Sequence, residues 1–396
     1  MGHRRVLAAA GLSADPDTGA AATMAAAAAA AGLEGANPDL ALVFASGHHI
    51  LDPDTLLGAV GGSLAPGALI GCGAGGVLGA GRELEQDPAV SVFALALSGP
   101  SGHSGRITPF ELSATAGDED GEEVVLSGDL APAEATILLV DPYRFPAEAA
   151  LAELAALAPA MPVLGGVASA RSGAGSGSLF IGDSVSDAGA VGVRLDGVEL
   201  LPCVSQGAAP LGREVTVTAA QGNVILELAG RPALETIERL ITELPAHEQA
   251  LLAAGLLLGI VVDSGKPEFE QGDFLVRGVL GADRETGAVA VGAHVHEGQI
   301  VCLHARDAGS ADDDLRHALR LRCKALGERP LAGALLFSCN GRGRGMFGVG
   351  HHDAAAVERE LDGTPCAGFF AAGEIGPVAG RSFLHSFTAT LALFPG

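Results

Sequence analysis

Apolar residues fall at two spacings along this chain, every second position and every third or fourth, and the same succession of such runs returns three times. The first copy opens with LALVFASGHH (Leu40 to His49), passes through DPDTLLGAVGGSLAPG and reaches ALIGCGAGG (Ala68 to Gly76). The second opens with TILLVDPYRF (Thr136 to Phe145), passes through AEAALAELAALAPAM and reaches PVLGGVASA (Pro162 to Ala170). The third opens with GALLFSCNGRG (Gly333 to Gly343), passes through HHDAAAVERELDGTP and reaches CAGFFAAGEIG (Cys366 to Gly376). Each copy predicts a strand, a loop, a helix closed by a Pro-containing turn, and a second strand opening into a Gly-rich loop. Behind each loop the alternating runs VSVFALAL (Val90 to Leu97), GAVGVRLDG (Gly189 to Gly197) and FTATLALF (Phe387 to Phe394) predict one more half-buried strand. The expectation is an α/β protein with mixed β-sheets built from repeated βαββ units. Leu69 to Gly71, Val163 to Gly165 and Gly368 to Phe370 should then occupy equivalent, buried places.

Between the second and third copies the pattern changes. GREVTVTAA predicts a strand, and PALETIERLITELPAHEQALLAAG two helical segments broken at Pro245. DFLVRGVLGADRETGAVAVGAHVHEGQIVCLHARD predicts an antiparallel meander with Gly-containing turns, and SADDDLRHALRLRCKALG a helix with an acidic start and a basic end, matched to its dipole. AATMAAAAAAAGLEG, from Ala21, predicts a packing helix ended by Gly32. LPCVSQGAAPLG, punctuated by Gly and Pro, places a domain boundary near Leu200. Two domains are expected, residues 1–200 and 201–396, each long enough to bury its own core.

Composition narrows the function. The formal net charge of −24 and the absence of any Lys/Arg run longer than Arg4-Arg5 argue against nucleic acid as a ligand. DEDGEE, at Asp118 to Glu123, reads as a solvated turn. The six cysteines form no CxxC pair, which argues against a zinc ribbon or a thioredoxin-type site and for reduced thiols. The N-terminal apolar run, Val6 to Leu12, is brief and followed by Asp15, and the run Ala250 to Val262 is too short to span a bilayer. A soluble, cytoplasmic protein is expected.

Particular stretches resemble a known family, the FIST proteins, named for F-box and intracellular signal transduction. ALVFASGHHILDPDTLLGAVGGSLAPGALIGCGAGGVLGAGRE and VLGGVASARSGAGSGSLFIGD followed by GAVGVRL resemble the N-terminal FIST region. ALLFSCNGRGRGMFG and GFFAAGEIGPVAGRSFLHSFTATLALF resemble the C-terminal region, with the SCNGRG and GEIGP motifs the more specific signals. The resemblance covers Leu40 to the end in the family order. It implies a small-molecule-sensing module for amino acids or similar metabolites, and a signalling partner downstream. Relatives often carry chemoreceptor, kinase or cyclic-dinucleotide output domains; none is expected here.

The candidate site residues are Cys339, Asn340, Arg342 and Glu374. Asn340 and Arg342 follow a strand, and Glu374, the acid of GEIGP, stands in an apolar loop. Arg342 and Glu374 together complement the two charged ends of an amino acid; alternatively they form a structural pair that holds two loops together. Cys339, beside Arg342 and Arg344 and some ten residues before His351, His352 and Asp353, could be a thiolate nucleophile of a hydrolase or transferase, but no third group orients it, so binding is preferred over catalysis. A non-catalytic scaffold for a protein partner is the remaining alternative. The Gly-rich loops do not open into helices, as a phosphate cradle requires, so no nucleotide cofactor is expected. Nor is a metal: His294 and His296 would share one side of a strand, but the doublets His48-His49 and His351-His352 point oppositely on an extended chain.

Overall fold

A computed structural model of the chain describes residues 5–98, 105–116, 124–129, 131–170, 178–252, 255–269 and 271–396. The acidic run Asp118 to Glu123 and most of the second Gly-rich loop, 171–177, lie outside the described residues. The chain forms two compact units, one made of Met1–Val204, Leu315–Leu384 and Ala389–Gly396, the other of Ser205–Asp314 and His385–Thr388.

All three copies lie in the first unit. Each contributes a parallel strand pair: Leu40–Ser46 with Ala68–Ala74, Ala135–Val140 with Val163–Val167, and Leu331–Cys339 with Cys366–Ala371. The later alternating runs, Val90–Ser98, Ala190–Asp196 and Ala389–Pro395, pair antiparallel with the first strand of their own copy. The parallel strands read as nearly continuous apolar runs because both of their faces are covered. Leu42, Phe44, Ile137, Leu139, Leu164, Phe337, Phe369 and Phe394 form one core shared by the three sheets, with the Phe44 and Phe369 rings 5.0 Å apart. The helices cover the other faces: Thr18–Gly32 and Pro53–Leu64 over the first sheet, Ala147–Leu157 over the second and His352–Glu360 over the third. The polyalanine helix buries Ala21, Ala22, Ala25, Ala26 and Ala29, its start capped by Asp17, whose carboxylate accepts the Ala20 N–H.

The second strands of the three copies are equivalent and buried as expected, but the third is displaced by two residues from the predicted alignment, because the parallel register sets Gly368, not Phe370, level with Gly71 and Gly165. Gly71, Gly165 and Gly368 stand opposite Val43, Leu138 and Leu336 in the parallel register, and a Cβ on any of them would come within 1.8–2.1 Å of that partner's carbonyl oxygen. Only glycine fits so close a backbone approach.

The Gly-rich loops carry more structure than their composition predicts. Each contains a hairpin: Val77–Gly79 with Arg82–Leu84, Leu179–Ile181 with Ser184–Ser186, and Glu374–Val378 with Arg381–His385. Each hairpin extends the sheet of a different copy. That of the first copy pairs with Cys366–Ala371 of the third, that of the second with Ala68–Ala74 of the first, and that of the third with Val163–Val167 of the second. The copies therefore exchange hairpins around a ring, leaving no parallel strand as a bare edge.

In the second unit Ala208–Gln221, Ile300–Arg306, Leu257–Val261, Phe274–Ala282, Val289–Val291 and Val224–Leu228 make one sheet, closed because the first strand also pairs with the last. The expected meander is corrected in its order: Ile300–Arg306 pairs with Leu257–Val261 rather than with Val289–Val291. The helix Ala233–Glu243 buries Ala233, Thr236, Ile237 and Leu240, the 3.6-residue stripe the sequence predicts, and ends before Pro245.

Candidate functional site

At the end of the strand Leu331–Cys339 the chain turns through Asn340 and Gly341, then forms a short helix, Gly343–Phe347, and the helix His352–Glu360. Arg342 and Asp353 meet in this turn. Arg342 Nε donates to Asp353 Oδ2 at 2.6 Å and Nη2 to Oδ1 at 2.9 Å, a bidentate pair with both side chains excluded from solvent. Ser338 Oγ donates to Oδ2 at 2.8 Å, and His352 Nδ1 lies 3.0 Å from Oδ1. The Phe347 ring, stacked on His352 at 3.5 Å, closes the other side, 5.2 Å from the guanidinium. Burial alone would raise the Asp353 carboxyl; Arg342, His352 and Ser338 outweigh it and hold the group far below the usual carboxylate range. Burial likewise opposes the charge of Arg342, and Asp353, then Cys339 and Glu374, overcome it and raise its pKa.

Arg342 is thus a buried cation in a charge network whose bidentate partner is Asp353. Glu374, expected in a loop, is the first residue of a strand and fully buried. The register shows why this is unusual. Glu374 stands opposite Gly166, where the other copies place Val77 opposite Phe369 and Leu179 opposite Cys72. A carboxylate occupies a position that is apolar in both sister copies. Cys339 is 5% exposed and its sulfur accepts the Gly341 N–H at 3.4 Å, whereas Asn340 is exposed.

The histidine candidates are dispersed. His294 and His296 lie in an irregular, exposed segment rather than on a strand, because the strand Val289–Val291 ends before them. His49 is buried against Thr18, its Nδ1 3.0 Å from Oγ1, and His48 Nε2 lies 2.7 Å from the Pro16 carbonyl. No group of three or more His, Cys, Asp or Glu placed to hold a metal occurs among the described residues.

A cleft of about 290 Å³ opens in front of the buried network, lined by Gly75, Gly76, Glu85, Ser169, Asn340 and Phe370. Its walls come from all three copies. Gly75 N–H donates to Ser169 Oγ at 2.9 Å, Ser169 Oγ donates to the Phe370 carbonyl, and Phe370 N–H donates to the Gly76 carbonyl at 3.0 Å. Gly75 and Ser169 each lie four residues beyond the register glycine of their copy, so the cleft sits where equivalent strand ends converge. Glu85 is held by Arg344, whose N–H donates to Oε1 at 2.9 Å. Gly343, at φ +65°, permits this approach, since a Cβ there would fall 2.7 Å from the Glu85 carboxylate. Of the predicted residues only Asn340 reaches the cleft. Glu85 and Ser169 were not singled out from the sequence: Ser169 is a polar residue among small ones, while Glu85 is one acid within the polar stretch Arg82 to Asp87 and carries no signal of its own.

Two family models match the chain in succession, the FIST N domain over residues 39–231 and the FIST C domain over residues 233–377. Uncharacterized protein MT0656 of Mycobacterium tuberculosis is 44% identical over 387 residues, which cover 97% of this chain and 98% of the relative. Uncharacterized protein Mb0898c of Mycobacterium bovis is 41% identical over 387 residues, 97% of each chain. Both domains, in order, together with likeness along nearly the whole length, show that the chain belongs to the FIST family of signal-transduction sensor proteins.

Proposed function

We propose that the chain senses a small polar metabolite, an amino acid or a compound of similar charge, in the cleft where the strand ends of the three copies converge, and passes its occupancy to a signalling partner. The observation that carries this reading is the cleft itself: exposed Asn340, the half-buried carboxylate of Glu85 and the Ser169 hydroxyl line a space of about 290 Å³. Clefts of this kind, with a few polar groups fixed by a rigid scaffold, are the usual form of small-ligand sites. Asn340 offers both donor and acceptor, and Glu85 a charge for an ammonium group. Cys339, Arg342 and Glu374 are buried, with Arg342 bound to Asp353 and the Cys339 sulfur accepting the Gly341 N–H within the turn that carries Asn340. Binding is favoured over turnover at Cys339, since that residue is 5% exposed and its sulfur accepts a backbone N–H.

A thermal-shift screen of amino acids and related metabolites tests this. A true ligand at a hundredfold excess over its dissociation constant stabilises the protein by about 2.7 kcal/mol. Asn340→Ala and Glu85→Gln should each abolish that gain. A screen without stabilisers, or a stabiliser indifferent to both changes, would overturn the assignment; loss of a measured turnover on alkylation of Cys339 would favour the enzyme reading.

A further inference from the structure

We infer that Glu83 is a proton-operated latch fastening the hairpin of the first copy to the helical segment of the third. Glu83 lies in the strand Arg82–Leu84 and is 4% exposed. Its Oε1 accepts the Ala354 N–H at 2.9 Å in the first turn of the helix His352–Glu360, and its own N–H donates to His351 Nδ1 at 2.9 Å. Oε2 is buried without a hydrogen-bond partner among the described residues. A carboxylate with one satisfied oxygen in a solvent-free place is stable mainly when protonated.

The charged and titratable surroundings reinforce this. From the helix Asp353 and Glu358 face the hairpin, the latter beside Gly81; His351 precedes that helix and His352 is its first residue. Arg344, on the short helix, gives its N–H to Glu85, while Arg342 is committed to Asp353. Arg82, on the hairpin itself, is exposed. Burial first, then the Asp353 charge, raises the Glu83 carboxyl to about 7, against the bonds from Ala354 and Asp353 N–H, which favour ionisation. The folded value lies above the unfolded one, so the stabilisation is complete below the ordinary glutamate range and is lost as pH rises through about 7. Ionised Glu83 puts a second negative charge beside Asp353. Withdrawing the hairpin into water relieves it, breaks the Ala354 bond and frees Glu85, two residues on, from Arg344.

Carboxyl-carbon NMR of Glu83, with amide exchange at Ala354 and Arg344, reads this out in the apo protein. The carboxyl should titrate near 7, and amide protection, corrected for intrinsic exchange, should fall about tenfold between roughly pH 6 and pH 8. The fall should persist in His351→Ala, which removes the neighbouring imidazole, and vanish in Glu83→Gln, which keeps the acceptor oxygen without the charge. A Glu83 midpoint in the ordinary carboxylate range overturns the latch, as does an unchanged fall in Glu83→Gln. The carboxyl titration decides the matter in wild type even where Glu83→Gln does not fold.

Discussion

Arg342 Nε lies 2.6 Å from Asp353 Oδ2, and neither side chain meets solvent. A pair so placed is costly to break from one side, because the partner is left charged and buried. Arg342→Ala and Asp353→Ala should each lower stability by about 3–5 kcal/mol, and replacing both with apolar residues of similar size should recover much of the loss. Urea denaturation of the apo protein measures it. The Asp353 contribution is present above the ordinary carboxylate range and lost only in acid, as pH falls through its depressed pKa. A near-neutral Arg342→Ala would return Arg342 to the role of a solvated ligand contact.

The register glycines make a sharper test of the threefold repetition. Alanine at Gly71, Gly165 or Gly368 would press on a partner carbonyl in a close-packed sheet, and each change should cost about 1–3 kcal/mol or more. Gly58 is the internal control: it lies in the helix Pro53–Leu64, where an added methyl group would meet nothing within 4 Å, so Gly58→Ala should stabilise by about 0.5–1 kcal/mol. Thermal denaturation of the four variants should show this opposition of sign; three harmless register variants would refute the repeat alignment.

In the second unit His304 is fully buried, its Nδ1 3.1 Å from the Cys302 carbonyl and its ring edge-on to Phe274. Burial pushes its pKa down to about 4, against the pull of its backbone hydrogen bonds. The unfolded chain then binds a proton the folded unit refuses, so stability is full above the ordinary histidine range and falls as pH drops toward about 4. The loss should reach up to about 3 kcal/mol and disappear in His304→Phe. Denaturation between these pH values, followed by a probe in that unit, is the measurement.

All six cysteines are free thiols, and all but Cys323 are buried. Burial raises the Cys366 and Cys302 thiols to about 12 and about 11 and carries Cys72 higher still. Under native, non-reducing conditions a thiol reagent should modify Cys323 first, and all six only after denaturation. Rapid native labelling of Cys339 would instead expose it as a reactive group.

The alternating and helical periods of the chain located the parallel strands and covering helices of the three copies, though not the strands Arg5–Ser13 and Arg106–Ala116 or the three hairpins, and repetition of those periods exposed the copies with the third out by two residues at its register glycine. Both signals are local: each follows from which side of a short segment is apolar, and a register glycine from the absence of room for a side chain. Sequence likewise singled out the turn at Asn340 and Arg342. It did not show that Arg342 pairs with Asp353, that Glu374 is a buried strand residue where the sister copies have Val77 and Leu179, or that Glu85 and Ser169 reach one cleft with Asn340. Those relations depend on hairpins joining the sheets of other copies, through contacts such as Glu83 with Ala354, 271 residues apart. Three short hairpins of similar pattern can each pair with any of three similar strands. Only the shared core, which must be filled once by all three sheets together, selects the cyclic exchange and with it the residues that line the cleft.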